Sequence, residues 1–292
     1  MEVRHDPKLH GDTAVSRFSR DLINRSGSLR RVVKSGPVQA IVYTLRVAAE
    51  VRKPLAFVWA QMFGPELTLV ETRRTGINVY LRRRSGDLVM FHQIIGRDSY
   101  EPTPEVASAL ERDGGVSRIA DLGSNIGLFT VSVLGRYPTA QVIALEADPA
   151  NAAIFEKTIA ANSWEEQVDL RAVAAMAEAG RIELAGGDFY RSHVIDADEN
   201  STTSVEAVDA LPLMAGCDLV KIDIEGSEWP ILADPRFGGL EARAMAMEWH
   251  RFGCPAPDPK AAADRYLTDA GFTLEHDFVD EDCGTFWAWK AT

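Results

Sequence analysis

Acids, a lysine and a histidine gather at the ends of apolar runs in this chain. The run Asp218-Leu-Val-Lys-Ile-Asp-Ile-Glu-Gly-Ser-Glu228 carries Lys221, Asp223, Glu225 and Glu228, and Met245-Ala-Met-Glu-Trp-His250 carries Glu248 and His250. Alternate residues of a strand share a face, so Lys221 lies with Asp223, opposite Val220, Ile222 and Ile224, and Glu248 lies with His250. A buried lysine is costly unless paired, which predicts an ion pair from Lys221 to a carboxylate such as Asp121, Asp223 or Glu248. Histidine titrates near neutral pH, so His250 is the first choice for a base that takes a proton from a hydroxyl, with Asp223 and Glu248 beside it. The same three residues could instead hold magnesium or manganese, which would acidify the hydroxyl, although no compact ligand motif marks such a site. Glu228 falls in the first turn of the next helix, where the helix dipole and a functional role account for it equally well.

A second group lies upstream. The stretch Ile119-Ala-Asp-Leu-Gly-Ser-Asn-Ile-Gly127 reads as strand, glycine turn and helix start, because a run containing Asp121 gives way to Gly123 and Gly127 and then to Leu128-Phe-Thr-Val131. A glycine turn lets the main chain approach a ligand closely, since no Cβ intervenes. Glu146 ends the next apolar run, 23 residues beyond Gly123, where a carboxylate can grip two ribose hydroxyls. The spacing Asp-x-Gly-x-x-x-Gly departs from the Gly-x-Gly-x-x-Gly of nicotinamide and flavin binders, and no Gly-Lys-Ser/Thr follows as in triphosphate loops. A ribose-bearing ligand without phosphates fits better, and S-adenosylmethionine is the common one. The alternative is an ordinary βαβ crossover whose glycines serve packing.

These groups need elements to position them. The chain has 292 residues, 46% of them hydrophobic, enough for a large core. Beyond Ser117 the pattern predicts parallel strands at 118–122, 141–146, 168–173, 218–224 and 243–249. Helices are expected near 127–136, 148–162, 205–214, 226–233 and 258–270, and a closing antiparallel pair at 272–275 and 285–289. Such alternation predicts an α/β doubly wound, mostly parallel seven-stranded sheet with ligands beyond the carboxyl ends of its strands. Upstream, residues 17–65 read as two or three helices, and residues 76–81 and 88–91 around Arg84-Ser-Gly-Asp87 read as a β-hairpin. The expected organisation is therefore a helical arm over 1–70, a hairpin and lid element over 71–105, and a ligand-binding domain over 106–292. The lid would include Asp98-Ser-Tyr-Glu101. Segment 178–204 reads as loops around a short strand near Tyr190.

Charge narrows the partners. Residues 1–100 hold 17 Lys/Arg and 9 Asp/Glu, whereas the rest hold 14 and 34. An acidic catalytic half repels phosphates and argues against a nucleic-acid substrate. The basic residues Arg17, Arg20, Arg25, Arg30, Arg31 and Lys34 could serve a membrane surface or an acidic partner, or simply solvate a helix face. Charges and Pro54 interrupt the apolar segment 38–63, so no transmembrane span is expected, and the start of the chain has no apolar signal-peptide core. Cys217, Cys254 and Cys283 form no metal pair or disulfide framework and suit buried thiols in the cytoplasm. Among the remaining histidines, His92 and His193 lie outside the core strands and are weaker candidates.

Taken together, four ordered blocks resemble the FkbM-type family of S-adenosylmethionine-dependent methyltransferases over about residues 76–250. They are Asp121-Leu-Gly-Ser-Asn-Ile-Gly-Leu-Phe129, Glu146-Ala-Asp-Pro-Ala-Asn151, Lys221-Ile-Asp-Ile-Glu-Gly-Ser-Glu228 and Glu248-Trp-His250. Tyr100 also stands where the family tends to have a tyrosine, whereas Ala147 replaces the proline usual after the second-motif acid. The resemblance implies a Rossmann-like class I fold and methyl transfer to an oxygen, often a hydroxyl of a secondary metabolite or sugar. It implies that Gly123 and Gly127 shape the turn around the amino-acid end of the cofactor, that Asp121 orients this turn or meets the cofactor ammonium through water, and that Glu146 holds the ribose, with Ser124, Asn125, Ala147 and Asp223 as further cofactor-binding residues. Asp223 and His250 would then face a small-molecule acceptor. N-methylation of an amine or amide, and a non-catalytic S-adenosylmethionine binder, are the alternatives. A homo-oligomer is compatible with all three.

Overall fold

The computed structural model describes residues 36–185 and 202–291. The basic positions of residues 17–34, Tyr190 and His193 lie outside these residues. Helices α1 (Gly36–Glu50) and α2 (Pro54–Phe63) lead into a hairpin of β1 (Leu67–Glu71) and β2 (Asn78–Arg82). The hairpin turn thus lies at 72–77, where Gly76 takes φ +73°. Residues 88–91 are not the expected second hairpin strand; they belong to helix α3 (Asp87–Phe91), which continues as a π-helical turn, His92–Gly96. Four consecutive apolar residues fit strand or helix equally. Here buried Asp87 accepts the Arg82 backbone N–H at 2.8 Å and its guanidinium at 2.7 Å, which turns the chain at the strand end. Leu88, Phe91 and Ile94 then fall on one buried helical face.

After α4 (Pro104–Glu111), strands and helices alternate as β3 (Arg118–Leu122), α5 (Leu128–Arg136), β4 (Gln141–Leu145), α6 (Pro149–Asn162) and β5 (Val168–Arg171). A separate three-stranded sheet follows, made of β6 (Ala174–Met176), β7 (Gly180–Ala185) and β8 (Thr202–Asp209). The remaining elements are α7 (Leu211–Met214), β9 (Leu219–Ile222), α8 (Glu228–Ala233), β10 (Ala244–His250), α9 (Pro259–Asp269), β11 (Thr273–Val279) and β12 (Cys283–Trp289). The main sheet has the order β11-β12-β10-β9-β3-β4-β5. Every pair from β10 to β5 is parallel, and β12 is antiparallel to both neighbours. This is the doubly wound seven-stranded sheet expected from the sequence, and its strand order reverses between β3 and β9, where such folds bind ligands.

Local chemistry sets the element ends. Thr103, Asp148 and Asp258 each precede a proline and accept a backbone N–H one turn in, from Val106, Ala150 and Ala261. Strand β8 corrects the helix expected at 205–214: Val205 and Ala207 are buried while Glu206 is exposed, a period of two. Helix begins only after Asp209, with Pro212 in its first turn. Side chains alternate across the main sheet, Leu219 entering one core with Phe129 and Phe155, and Val220 and Ile222 entering another with Trp229 and Leu267. A third core joins Val47, Phe57, Leu81 and Phe91 to Ile126 and Leu128. Asn78 N–H to Asn162 Oδ1 and Asn162 Nδ2 to Asn78 O, both 2.8 Å, fasten the hairpin to α6.

Candidate active site

The turn after β3 is built for close approach. Gly123 has φ +77°, and a Cβ there would sit 1.8 Å from the carbonyl oxygen of Asp223. At Gly127, φ +86°, a Cβ would lie 2.3 Å from the Phe155 ring. The N–H groups of Gly123 and Ser124 both donate to Leu145 O at 2.9 Å, drawing the turn against the end of β4. Glu146 follows there, buried, with Oε2 accepting Asn125 N–H at 2.7 Å and Oε1 accepting Asp148 N–H at 2.9 Å. Burial pushes its carboxyl up to about 7 despite those bonds.

A cavity of about 300 Å³ opens at this turn, lined by Gly123, Ser124, Asn125, Glu146 and Ala147 on one side and by Lys221, Asp223, Glu225 and Glu248 on the other. Ser124 Oγ and Asn151 Oδ1 are buried without a hydrogen-bond partner, and both residues line the cavity. Buried polar atoms are ordinarily satisfied, so these two hold unused hydrogen-bonding capacity beside the cavity. Asp121 and Gly127 do not line the cavity; they act from behind the turn. Asp121, fully buried, accepts Thr130 Oγ1–H at 2.7 Å through one oxygen and faces Lys221 Nζ at 3.7 Å through the other. Burial raises the Asp121 pKa, opposed by the Lys221 charge.

Lys221 pins the two walls together. Its ammonium donates to Gly123 O at 2.6 Å and lies 3.4 Å from Asp223 Oδ2. Burial acts to lower its pKa, but Asp223 and Asp121 hold it above the ordinary lysine range. Of the three expected partners, Asp121 and Asp223 meet it. Tyr100 also lines the cavity and packs edge-on against Phe129 with ring centroids 4.9 Å apart. Burial pushes its phenol above the ordinary tyrosine range, so it stays a donor. Arg74 and Arg136 hold the flanking Asp98 and Glu101, tying down the segment expected as a lid.

His250 does not line the cavity. Its Nε2 lies 3.4 Å from Glu225 Oε2 and 3.7 Å from Glu248 Oε1, and its Nδ1 lies 3.2 Å from Glu228 Oε1. Burial acts to lower the His250 pKa, but the hydrogen bond and charge of Glu228, with Asp223 and Glu225, push it up to about 9. At neutral pH it is therefore an imidazolium and has no lone pair to accept a proton. Glu248 stands at the cavity wall with its carboxyl pushed up to about 7 by burial and the neighbouring Asp223 charge. Glu228, which the sequence left undecided, is fully buried and accepts N–H bonds from Gly226 at 2.8 Å and His250 at 2.6 Å. It positions the imidazole.

The candidate cation ligands also regroup. The set that converges is Asp223, Glu225 and His250, with one ligand atom from each lying within 4.8 Å of the others. Glu225 thus takes the place expected for Glu248. Met90, Gln93, Ile94 and Asn151 are cavity residues to which the sequence assigned no site role. The first three follow from the helical, not extended, course of residues 87–96, and Asn151 stood inside the block that begins at Glu146. Trp229 is fully buried and donates to His250 O at 2.8 Å, so it packs rather than lining the cavity.

The Methyltransferase FkbM domain matches residues 121–274. Among curated proteins, no sequence matches this chain. Among solved structures, methyltransferase FkbM from Methylobacillus flagellatus KT is similar at 12% identity and TM-score 0.44, covering 86% of this chain and 59% of its own. Precorrin-6y C5,15-methyltransferase from Geobacter metallireducens GS-15 is similar at 16% identity and TM-score 0.39, covering 63% and 86%. The N-terminal domain of EvdMO1 with SAH bound is similar at 14% identity and TM-score 0.37, covering 67% and 84%. None of these likenesses bears on substrate, and the assignment rests on the domain match, which spans more than half of the chain. This chain belongs to the FkbM methyltransferase domain family.

Proposed function

We propose that this chain transfers a methyl group from S-adenosylmethionine to a hydroxyl of a small-molecule acceptor. The observation that carries the proposal is one cavity with a polar cradle around Glu146 on one wall and the Asp223, Glu225 and Glu248 carboxylates on the other. When bound, S-adenosylmethionine supplies a methyl group already activated on a cationic sulfur. The Gly123–Asn125 turn receives its amino-acid end, Glu146 accepts the ribose hydroxyls, and Ser124 Oγ and Asn151 Oδ1 gain the partners they lack. Asp223 and Glu248 face the acceptor. Glu248, poised near 7, takes the acceptor proton, and the His250 imidazolium 3.7 Å away stabilises the carboxylate that does so. The base assignment thereby moves from His250 to Glu248. The protein's share is alignment and one proton transfer.

The test begins with calorimetry using S-adenosylmethionine and S-adenosylhomocysteine, followed by turnover on hydroxylated acceptors. Glu248→Gln should lower kcat by about 100-fold, the range of a general base, with cofactor affinity unchanged. Full turnover by that variant on an amine acceptor would favour N-methylation. Cofactor binding with no turnover on any acceptor would favour a pure binder, and no cofactor binding would sink the reading.

A second reading has specific support in the convergence of Asp223, Glu225 and His250. A divalent cation there would displace the imidazole proton and polarise the acceptor hydroxyl. Turnover that survives exhaustive chelation would remove it. Three free cysteines, one buried and two half-buried, suit work in the cytoplasm.

A further inference from the structure

Helix α2 is apolar on both faces. Phe57 and Ala60 are buried, while Leu55, Trp59, Met62 and Phe63 form an outward stripe, 85%, 61%, 50% and 67% exposed. Their spacing of i, i+4, i+7 and i+8 keeps them on one side of the helix. Ile41 and Leu45 of α1, 62% and 60% exposed, add to the apolar surface of these two helices. A run of large apolar side chains this exposed is unusual on a water-facing surface and marks an interaction site. Exposed cations flank the stripe in sequence: Arg46, Arg52 and Lys53 precede it, and Arg84 donates to Gln61 O at 3.2 Å and Met62 O at 3.4 Å at the end of α2. From Arg46 to Arg84 the sequence holds eight Lys/Arg and three Asp/Glu; Arg52, Arg74 and Arg82 are paired with Glu71, Asp98 and Asp87, which leaves Arg46, Lys53, Arg83 and Arg84 among the cations nearest the two helices in sequence.

We propose that this face docks on an anionic lipid bilayer, the stripe entering the headgroup region and the cations meeting the phosphates. Charge selects the occupant. Residues 1–35 hold eight Lys/Arg and four Asp/Glu, so folding them over the stripe would bring positive charge onto positive. A second copy of the same face meets the same repulsion. An anionic bilayer instead offers negative phosphates above an apolar interior, the combination that retains cationic apolar helices at interfaces. The helix lies on the surface rather than crossing it. Its 10 residues span about 15 Å against a hydrocarbon core of about 30 Å, and among the described residues no helix is long and apolar enough to cross.

The experiment is co-sedimentation of the full chain with phosphatidylcholine vesicles, with and without phosphatidylserine, at low and high salt. Binding should require phosphatidylserine and weaken with salt. It should fall by about tenfold or more in the triple variant Leu55→Ser, Trp59→Ser, Phe63→Ser, as expected when several interfacial side chains are lost. These side chains are exposed, so the variant should keep its melting temperature, and brominated lipids should quench wild-type fluorescence more than that of Trp59→Ser. Absence of binding to phosphatidylserine vesicles overturns the proposal. A dimer that the triple variant dissociates, without vesicle binding, would assign the stripe to a second copy. Vesicle binding that appears only after removal of residues 1–35 would make that segment its cover, and binding to polyglutamate but not vesicles would assign it to an acidic protein.

Discussion

Replacing Glu228 by glutamine removes one charge from the site and almost none of its volume. The carboxylate is fully buried, 3.2 Å from His250 Nδ1, and it also accepts the backbone N–H groups of Gly226 and His250. Holding His250 near 9 instead of 6.5 corresponds to about 3 kcal/mol of preference for the imidazolium, at 1.36 kcal/mol per pH unit. Glu228 is the first contributor opposing burial, ahead of Asp223 and Glu225, so without it the pKa should fall toward the ordinary histidine value and leave more of the ring neutral at pH 7. A pKa raised on folding contributes stability that is fully present below about 6.5 and lost as pH rises through about 9. Glu228→Gln should therefore cost up to about 3 kcal/mol at pH 6 and little of that at pH 10, besides about 1 kcal/mol from weakened N–H bonds at both. Because the His250 charge lowers the Glu248 pKa, its loss should also move the rising limb of the activity profile to higher pH. The assay is an NMR titration of the His250 ring, assigned by its loss in His250→Gln, together with urea melts at the two pH values. A His250 pKa that stays near 9, or an equal stability loss at both pH values, would refute the assignment.

Other outcomes follow from neighbouring contacts. Glu146→Gln should weaken S-adenosylhomocysteine by about 10- to 100-fold in calorimetry, the worth of a charged hydrogen bond, and affinity within threefold or so of wild type would remove the ribose role. Gly123→Ala drives a Cβ into the Asp223 carbonyl, so its melting temperature should drop by about 5 °C or more; an unchanged melt would contradict the close approach. Lys221→Met strips the counter-charge from buried Asp121 and should cost about 3–5 kcal/mol in urea unfolding, with a neutral result showing that the ammonium is no pin. Wild-type kcat/KM should rise with pH through about 7 as Glu248 deprotonates, and a flat profile between about pH 5 and 8 would exclude it as the base.

Much of the scaffold was legible because its signals are local. Apolar runs closed by Asp121, Glu146 and Asp223 each mark a strand end without reference to the rest of the chain. What was misread depended on contacts between distant segments. Residues 88–91 became helix because Leu88 and Phe91 bury in a core shared with α1, α2 and Ile126, which no local pattern encodes. Residues 205–209 became strand because they pair with both β6 and β7. The site divides similarly. Strand alternation placed Lys221 with Asp223 and Glu248 with His250, but alternation says nothing about protonation. The proposed move of the base from His250 to Glu248 turns on Glu228, which at the start of α8 meets a strand end 22 residues further along the chain.

The main-chain oxygen of Asp223 occupies the space where any side chain at position 123 would begin. Two segments 100 residues apart in sequence, one carrying the cofactor turn and the other an acceptor-side carboxylate, therefore touch backbone to backbone. Under the proposed function, the spacing between the cofactor turn and the acceptor-side carboxylate is therefore set by main chain and not by rotamers. Met90, Gln93 and Ile94 line the same cavity but take no part in that contact, so under the proposed function changes there should alter which acceptor is held without disturbing it.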